Sequence, residues 1–245
     1  MIIAINGKIG SGKDTVGKII QWLTKQEPDG QYIGFQTYDD FTLEKLSPFK
    51  IKKFAGKLKT IASLITGVPV EMFEDQEFKQ KNMSPEWGMT YREFLQKLGT
   101  EAMRDGLHTN VWVNALFADY NATGYNYTGC ENKVIQGEWE YPKWIITDMR
   151  FSNEMEAVKT RGGITIRVTR NSIIVITLDG EKLTLDYNEW LKQKQFYENQ
   201  GWQFTEHPSE TALDDSKFDY EIINDGTIED LIEKVRALLI KENII

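Results

Sequence analysis

Two hydrophobic periodicities take turns along the chain. Ile2-Ile3-Ala4-Ile5 is a short unbroken apolar run of the kind a strand buried on both faces shows. After a polar, glycine-rich break, Val16, Ile19, Ile20 and Leu23 recur on one side of an amphipathic helix. The alternation repeats. Residues 51–55 predict a strand, and Leu58, Ile61, Ala62 and Ile65 the apolar face of the next helix. Residues 144–147 predict a buried strand, followed by a helix from Asn153 that Gly162-Gly163 closes. Residues 164–168 and 220–223 predict two more strands. In the final helix, capped at Thr227, Ile228, Leu231, Ile232, Val235, Leu238 and Leu239 form one inward stripe. Strands alternating with helices predict an α/β fold around a parallel sheet.

The intervening stretches are less regular. Residues 27–48 read as turn and loop with room for a short strand, and residues 68–86, punctuated by Pro69 and Pro85, as a connecting excursion. Thr90-Tyr91-Arg92-Glu93 is a capping box, with Tyr91, Phe94, Leu95, Leu98 and Ala102 on one face behind it. Another helix starts near Asn110, carrying Val113, Leu116, Phe117 and Tyr120 inward and Trp112 on its first turn. Trp112 suits either core packing or the lining of a pocket for a flat base. Residues 121–143 read as a long loop or a hairpin. Residues 173–178 and 182–185 around Asp179-Gly180 signal a hairpin, and residues 187–197 look helical. The expected organisation is one domain over 1–245. Its core is 1–66, 144–170 and 206–245, with a helical excursion at 67–143 and an inserted subdomain at 171–205.

The chemistry concentrates where strands end. Gly7 to Lys13 fits G-x-x-x-x-G-K, the phosphate-binding loop. Gly7, Gly10 and Gly12 open backbone angles that let successive N–H groups converge on one phosphate, with the following helix N-terminus behind them. Lys13 can then reach the β- and γ-phosphates of a triphosphate. Asp14 stands where a magnesium-binding hydroxyl is usual and Thr15 follows it; either oxygen can hold a hard cation. Residues 144–147 run into Asp148-Met149-Arg150. In a parallel sheet this is the edge where ligands bind, so Asp148 can orient a cation or accept a substrate hydrogen bond, and Arg150 can bridge phosphates. Glu154, in the first turn of the next helix, can point back at the same crevice. Lys57, at the second strand-to-helix junction, can touch a phosphate or be a surface lysine. Arg92 lies off its helix's apolar face, in a chain with seven arginines.

Composition narrows the partners. The 245 residues are 40% hydrophobic and 27% charged, with a net charge of −8 and a pI near 5.0. That balance argues against a nucleic-acid polymer as partner. Cys130 stands alone, which excludes an internal disulfide and a cysteine-based metal site. No apolar run approaches membrane-spanning length and no leader pattern opens the chain, so a cytoplasmic setting is expected.

The order of these features resembles the nucleoside monophosphate kinases, and most of all the bacteriophage enzymes acting on deoxynucleoside monophosphates. The resemblance is carried by Gly12-Lys13-Asp14-Thr15, FAGKLK at 54–59, FLQKLGTE at 94–101, Trp112, TDMRFSNE at 147–154, H-x-S-E at 207–210 and the run IINDGTIEDL from Ile222. It implies a three-layer P-loop kinase with a five-stranded parallel sheet of order 2-3-1-4-5 and transfer of the ATP γ-phosphate to a deoxynucleoside monophosphate with magnesium. Lys13, Asp148 and Arg150 would be catalytic. Gly10, Ser11, Gly12, Lys13, Asp14 and Thr15 would bind ATP, with Asn224 and Gly226 near adenine as in the similar segment of dephospho-CoA kinases. Asp14 and Thr15 would serve the metal. Lys57, Arg92, Trp112, Asp148, Arg150 and Glu154 would serve the monophosphate. The 171–205 insertion is longer than the lid such enzymes resemble would lead one to expect, and it leaves open how the site closes and whether the chain forms a homodimer. A dephospho-CoA kinase, another small-molecule kinase and a non-catalytic nucleotide-binding protein are the rival readings.

Overall fold

The computed structural model describes residues 1–8, 10–26, 35, 39–128, 136–170, 172–176, 182–186, 192, 195–196 and 211–245. The chain divides into two compact units, residues 1–51 with 143–245, and residues 52–142.

The first unit is built on a five-stranded sheet comprising β1 (Ile2–Asn6), β2 (Phe49–Lys52), β5 (Lys143–Ile146), β6 (Ile164–Thr169) and β9 (Tyr220–Ile223), in the spatial order β2-β5-β1-β6-β9. Strand β1 runs parallel to both β5 and β6, and β6 parallel to β9. Ile2, Ile3, Ala4 and Ile5 are all fully buried. Successive strand side chains point to opposite faces, so both faces of the central strand are covered. Ile3 and Ile5 share a core with Val16, Ile19 and Ile20 of α1 (Lys13–Leu23) and with Leu231 and Val235 of the C-terminal helix (Ile228–Lys241). Helix α7 (Ser152–Lys159) lies against β1 and β6. A Cβ on Gly17 would sit 2.8 Å from Thr147 Cγ2, so a bare backbone lets α1 approach the end of β5.

Three elements depart from the sequence expectation. The strand expected at 51–55 begins two residues earlier, because Phe49 is buried and its carbonyl accepts from Gln21 Nε2 at 2.9 Å. It also ends earlier: Gly56 N donates to Lys53 O at 3.0 Å, closing a turn that takes Phe54 out of the sheet. Residues 40–46, expected as loop, form helix α2 (Asp40–Leu46). Asp39 caps it by accepting from Thr42 N at 2.7 Å, and Leu43 packs inward. Residues 68–86 hold more than a connection, namely a 3₁₀ turn (Val70–Phe73) around fully buried Phe73 and helix α4 (Gln76–Gln80).

The second unit packs α3 (Gly56–Thr66), α4 and α5 (Tyr91–Gln96) around Ala62, Phe73, Met83 and Phe94, with α6 (Val111–Phe117) against α3 and the segment that continues α5. The Thr90–Glu93 capping box is present. Helix α5 runs on as a π-helix over Lys97–Asp105, where the expectation was one regular helix. Gly99 in that segment meets Leu58 so closely that a Cβ would lie 2.8 Å from its Cδ2. Residues 121–143 contain an antiparallel hairpin of β3 (Gly124–Thr128) and β4 (Gln136–Glu140). A second hairpin pairs β7 (Ser172–Ile176) with β8 (Lys182–Asp186). The Asp179-Gly180 turn, most of the helix expected at 187–197 and the 207–210 motif lie outside the described residues. No helix among the described residues is long and apolar enough to cross a membrane.

Candidate active site

Because the first unit's core strands run parallel, the segments leaving β1, β5, β6 and β9 emerge at one edge of the sheet. The turn after β1 is shaped by its glycines. Gly10 has φ 81° and Gly12 φ 95°, backbone angles that a side chain makes costly. Ser11 N donates to Lys8 O at 3.1 Å and Val16 N to Gly12 O at 2.9 Å, so the loop passes directly into α1. A Cβ on Gly7 would collide with Ser11 Oγ at 2.3 Å and Val168 O at 2.7 Å. Lys13 Nζ folds back toward Lys8 O at 3.5 Å.

A partner from the far end of the chain braces this loop. Asn224 Nδ2 donates to Ser11 O at 2.9 Å, and the same amide fills the space a Cβ on Gly12 would need, at 2.4 Å. Asn224 is itself held by the sheet, since its N–H donates to Thr169 O at 2.8 Å in extension of the β6–β9 ladder. The assignment of Asn224 to the adenine side thus acquires a structural component: its amide is committed to the loop. Ser11 is buried, and its Oγ has no hydrogen-bond partner among the described residues.

These residues enclose a cavity of about 440 Å³ lined by Gly10, Gly12, Lys13, Asp14, Thr15, Arg170, Asn224 and Gly226, and by Thr227, Ile228 and Leu231 at the start of the C-terminal helix. The lining combines polar groups of the loop and Asn224 with the aliphatic side chains of Ile228 and Leu231, which suits a ligand with an anionic tail and a flat apolar head. Sequence reasoning did not pick out Thr227, Ile228 or Leu231 as lining, because their pattern is fully accounted for by helix capping and packing. Arg170 joins the lining from the residue after β6. Arg167, within β6, serves the scaffold: its guanidinium donates to Asp214 O at 2.8 Å and to Leu213 O, and lies 4.3 Å from the Phe218 ring centroid.

The exit of β5 is equally fixed. Thr147, fully buried, donates to Asp14 Oδ1 at 2.9 Å, joining this exit to α1. Asn6 Nδ2 donates to Met149 O at 2.9 Å. Glu154 is 3% exposed; its Oε2 accepts from Arg150 N at 2.7 Å and Phe151 N at 3.1 Å. A carboxylate in this position favours the helix N-terminus and holds the backbone that presents Asp148 and Arg150, both partly exposed. Among the described residues no group of three or more His, Cys, Asp or Glu is gathered to hold a metal.

In the second unit Trp112 is buried, with Nε1 donating to Gly99 O at 2.8 Å in the π-helix. Lys57 pairs with Asp119 at 3.1 Å. Arg92 sits with Lys59, Lys53 and Glu74 in the surroundings of Lys79. Burial, then the charges of Lys59 and Arg92, lower Lys79 from 10.5 to about 8, against a smaller opposing pull from Glu74. Burial pushes Glu74 upward, but the hydrogen bond and charge of Lys59, joined by Lys53, hold its carboxyl below the ordinary value.

No protein-family model matches the chain. It is similar to a protein of Acanthamoeba polyphaga mimivirus described as a "putative deoxynucleotide monophosphate kinase", with 24% identity over 215 residues, spanning 84% of this chain and 90% of the relative.

Proposed function

We propose that the chain transfers the γ-phosphate of ATP to a deoxynucleoside monophosphate, giving a diphosphate and ADP. The observation that carries this reading is the glycine loop with Gly10 and Gly12 left-handed and Asn224 bracing Ser11, opening on a cavity of nucleotide size. The name of the mimiviral relative supports a nucleotide kinase, and the motif order supports the deoxynucleotide acceptor.

In this reading the loop's amides and the start of α1 receive the β- and γ-phosphates, while Ile228 and Leu231 face the adenine. Lys13 leaves its weak contact with Lys8 O to meet the triphosphate. Arg150, held at its backbone by Glu154, neutralises charge on the phosphoryl group in flight, and Asp148 orients the acceptor side. Arg92 and Trp112 serve the acceptor nucleotide. An acceptor phosphate is already anionic near neutral pH, so positioning and charge stabilisation carry the rate and no strong base is needed. Magnesium fits the donor set, because Asp14 and Thr15 both line the cavity and this cation is commonly held by one or two protein oxygens together with phosphates and water. When bound it would supply further neutralisation of the phosphates.

The test is a panel of deoxynucleoside monophosphates incubated with γ-labelled ATP. Labelled diphosphates are expected. Label appearing only on a hydroxyl acceptor such as dephospho-CoA, or on none, would sink the proposal.

A further inference from the structure

The second unit gathers positive charge from several of its segments. Lys53 follows β2, Lys59 lies on α3, Lys79 on α4 and Arg92 on α5. Two of these helices are fastened by aromatic rings: Phe78 and Tyr91 stack at 4.5 Å and 26°, with Phe73 edge-on to both. Tyr91 N also donates to Lys81 O at 3.2 Å, and Asn82 bridges Thr90. The residues next to the stacked rings are Lys79 and Arg92, so the stack that joins α4 to α5 also brings their cations into one neighbourhood.

The carboxylates nearby are already engaged. Glu74 accepts from both Lys59, at 2.5 Å, and Lys53, at 3.1 Å. Asp75 caps α4 by accepting from Glu77 N and Phe78 N at 2.7 and 3.1 Å. Lys59 is only 12% exposed along its side chain, which is unusual for a lysine. Burial first, and then repulsion from Lys59 and Arg92, depress Lys79 to about 8. An entering dianion would relieve that repulsion and restore the proton to Lys79.

We propose that Lys59, Lys79 and Arg92 form an anion cradle within the second unit that takes the phosphate of the acceptor nucleotide. This rests on the kinase reading for the identity of the anion. Arg92 was expected on the acceptor side; Lys59 and Lys79 were not, and Lys57, which was, is paired with Asp119. The ligand class is a phosphate monoester in its dianionic form, which prevails above its second pKa of about 6.

Calorimetric titration with inorganic phosphate and with each deoxynucleoside monophosphate, just above the pKa of Lys79 and in two buffers of different protonation heat, tests the cradle. The wild-type protein should take up a fraction of a proton on binding. Lys79→Met should weaken binding roughly tenfold or more and abolish the uptake. Lys79→Arg should retain binding without uptake, because arginine is always charged. In turnover, Lys79→Met should raise KM for the monophosphate and leave KM for ATP unchanged. Monophosphate turnover with binding and uptake unaltered in both variants would overturn the cradle and leave the kinase reading standing. Phosphate uptake of protons that depends on Lys79, with no monophosphate phosphorylated, would uphold the cradle as an anion site and remove the kinase reading.

Discussion

The loop after β1 and the cation cluster of the second unit are both suited to phosphate, by opposite means. The loop uses backbone: two left-handed glycines, a helix start and an amide brace from Asn224. Its attraction comes from N–H groups that need no counter-charge while empty. The cluster uses side chains from four separate segments, and it is held together at an electrostatic cost that Glu74 offsets only in part. A backbone site can therefore stand ready at little expense, whereas a side-chain site of this kind is poised to gain most when its ligand arrives.

The sharpest way to break the comparison is at Lys13. Lys13→Met should lower kcat roughly 100- to 1,000-fold, the usual cost of removing one group that meets developing charge, while circular dichroism shows an intact fold. Gly12→Ala comes next. The added Cβ meets the Asn224 amide at 2.4 Å and forces a non-glycine residue to φ 95°, a strain of about 1–3 kcal/mol. ATP affinity should fall about tenfold or more, and an unchanged Kd would show that the brace does not shape the loop. Arg92→Ala should raise KM for the monophosphate roughly tenfold with KM for ATP unmoved; equal changes in both would take Arg92 off the acceptor side.

Smaller effects separate the two regions by stability. Lys79 has a folded pKa near 8 and an unfolded one of 10.5, so between those values the unfolded chain binds more protons, and stability should rise with pH across that window. Lys79→Met should flatten this slope and be no less stable than wild type at neutral pH. A steeper slope would mean that the folded protein does not lower Lys79. Thr227→Ala, which removes the cap on Asp230 N, should cost about 1 kcal/mol, a fall in Tm of roughly 2–4 °C.

The two regions also differ in how far they could be read in advance. The loop was legible because everything it needs lies within a few residues: an apolar strand, three glycines, a lysine and a helix. Its brace was not, since Asn224 lies more than two hundred positions away and looks like an ordinary turn residue. The cluster was illegible as a group, because Lys53, Lys59, Lys79 and Arg92 share no period and meet only through the packing of Phe73, Phe78 and Tyr91. The same holds for the π-helix. Residues 94–102 carry a regular helical stripe, and nothing local signals the widened segment whose Gly99 carbonyl takes the Trp112 indole. The early start of β2 was hidden because Phe49 follows Pro48 in a stretch otherwise polar, while 51–55 looked like the more apolar run.

The reach of Asn224 has a consequence for synthesis. The glycine turn is made more than two hundred residues before the amide that holds its Ser11 carbonyl. A nascent chain stopped short of β9 would carry the whole phosphate-gripping motif and still lack the strut that sets its shape, so nucleotide capture should begin only once Asn224 has been made.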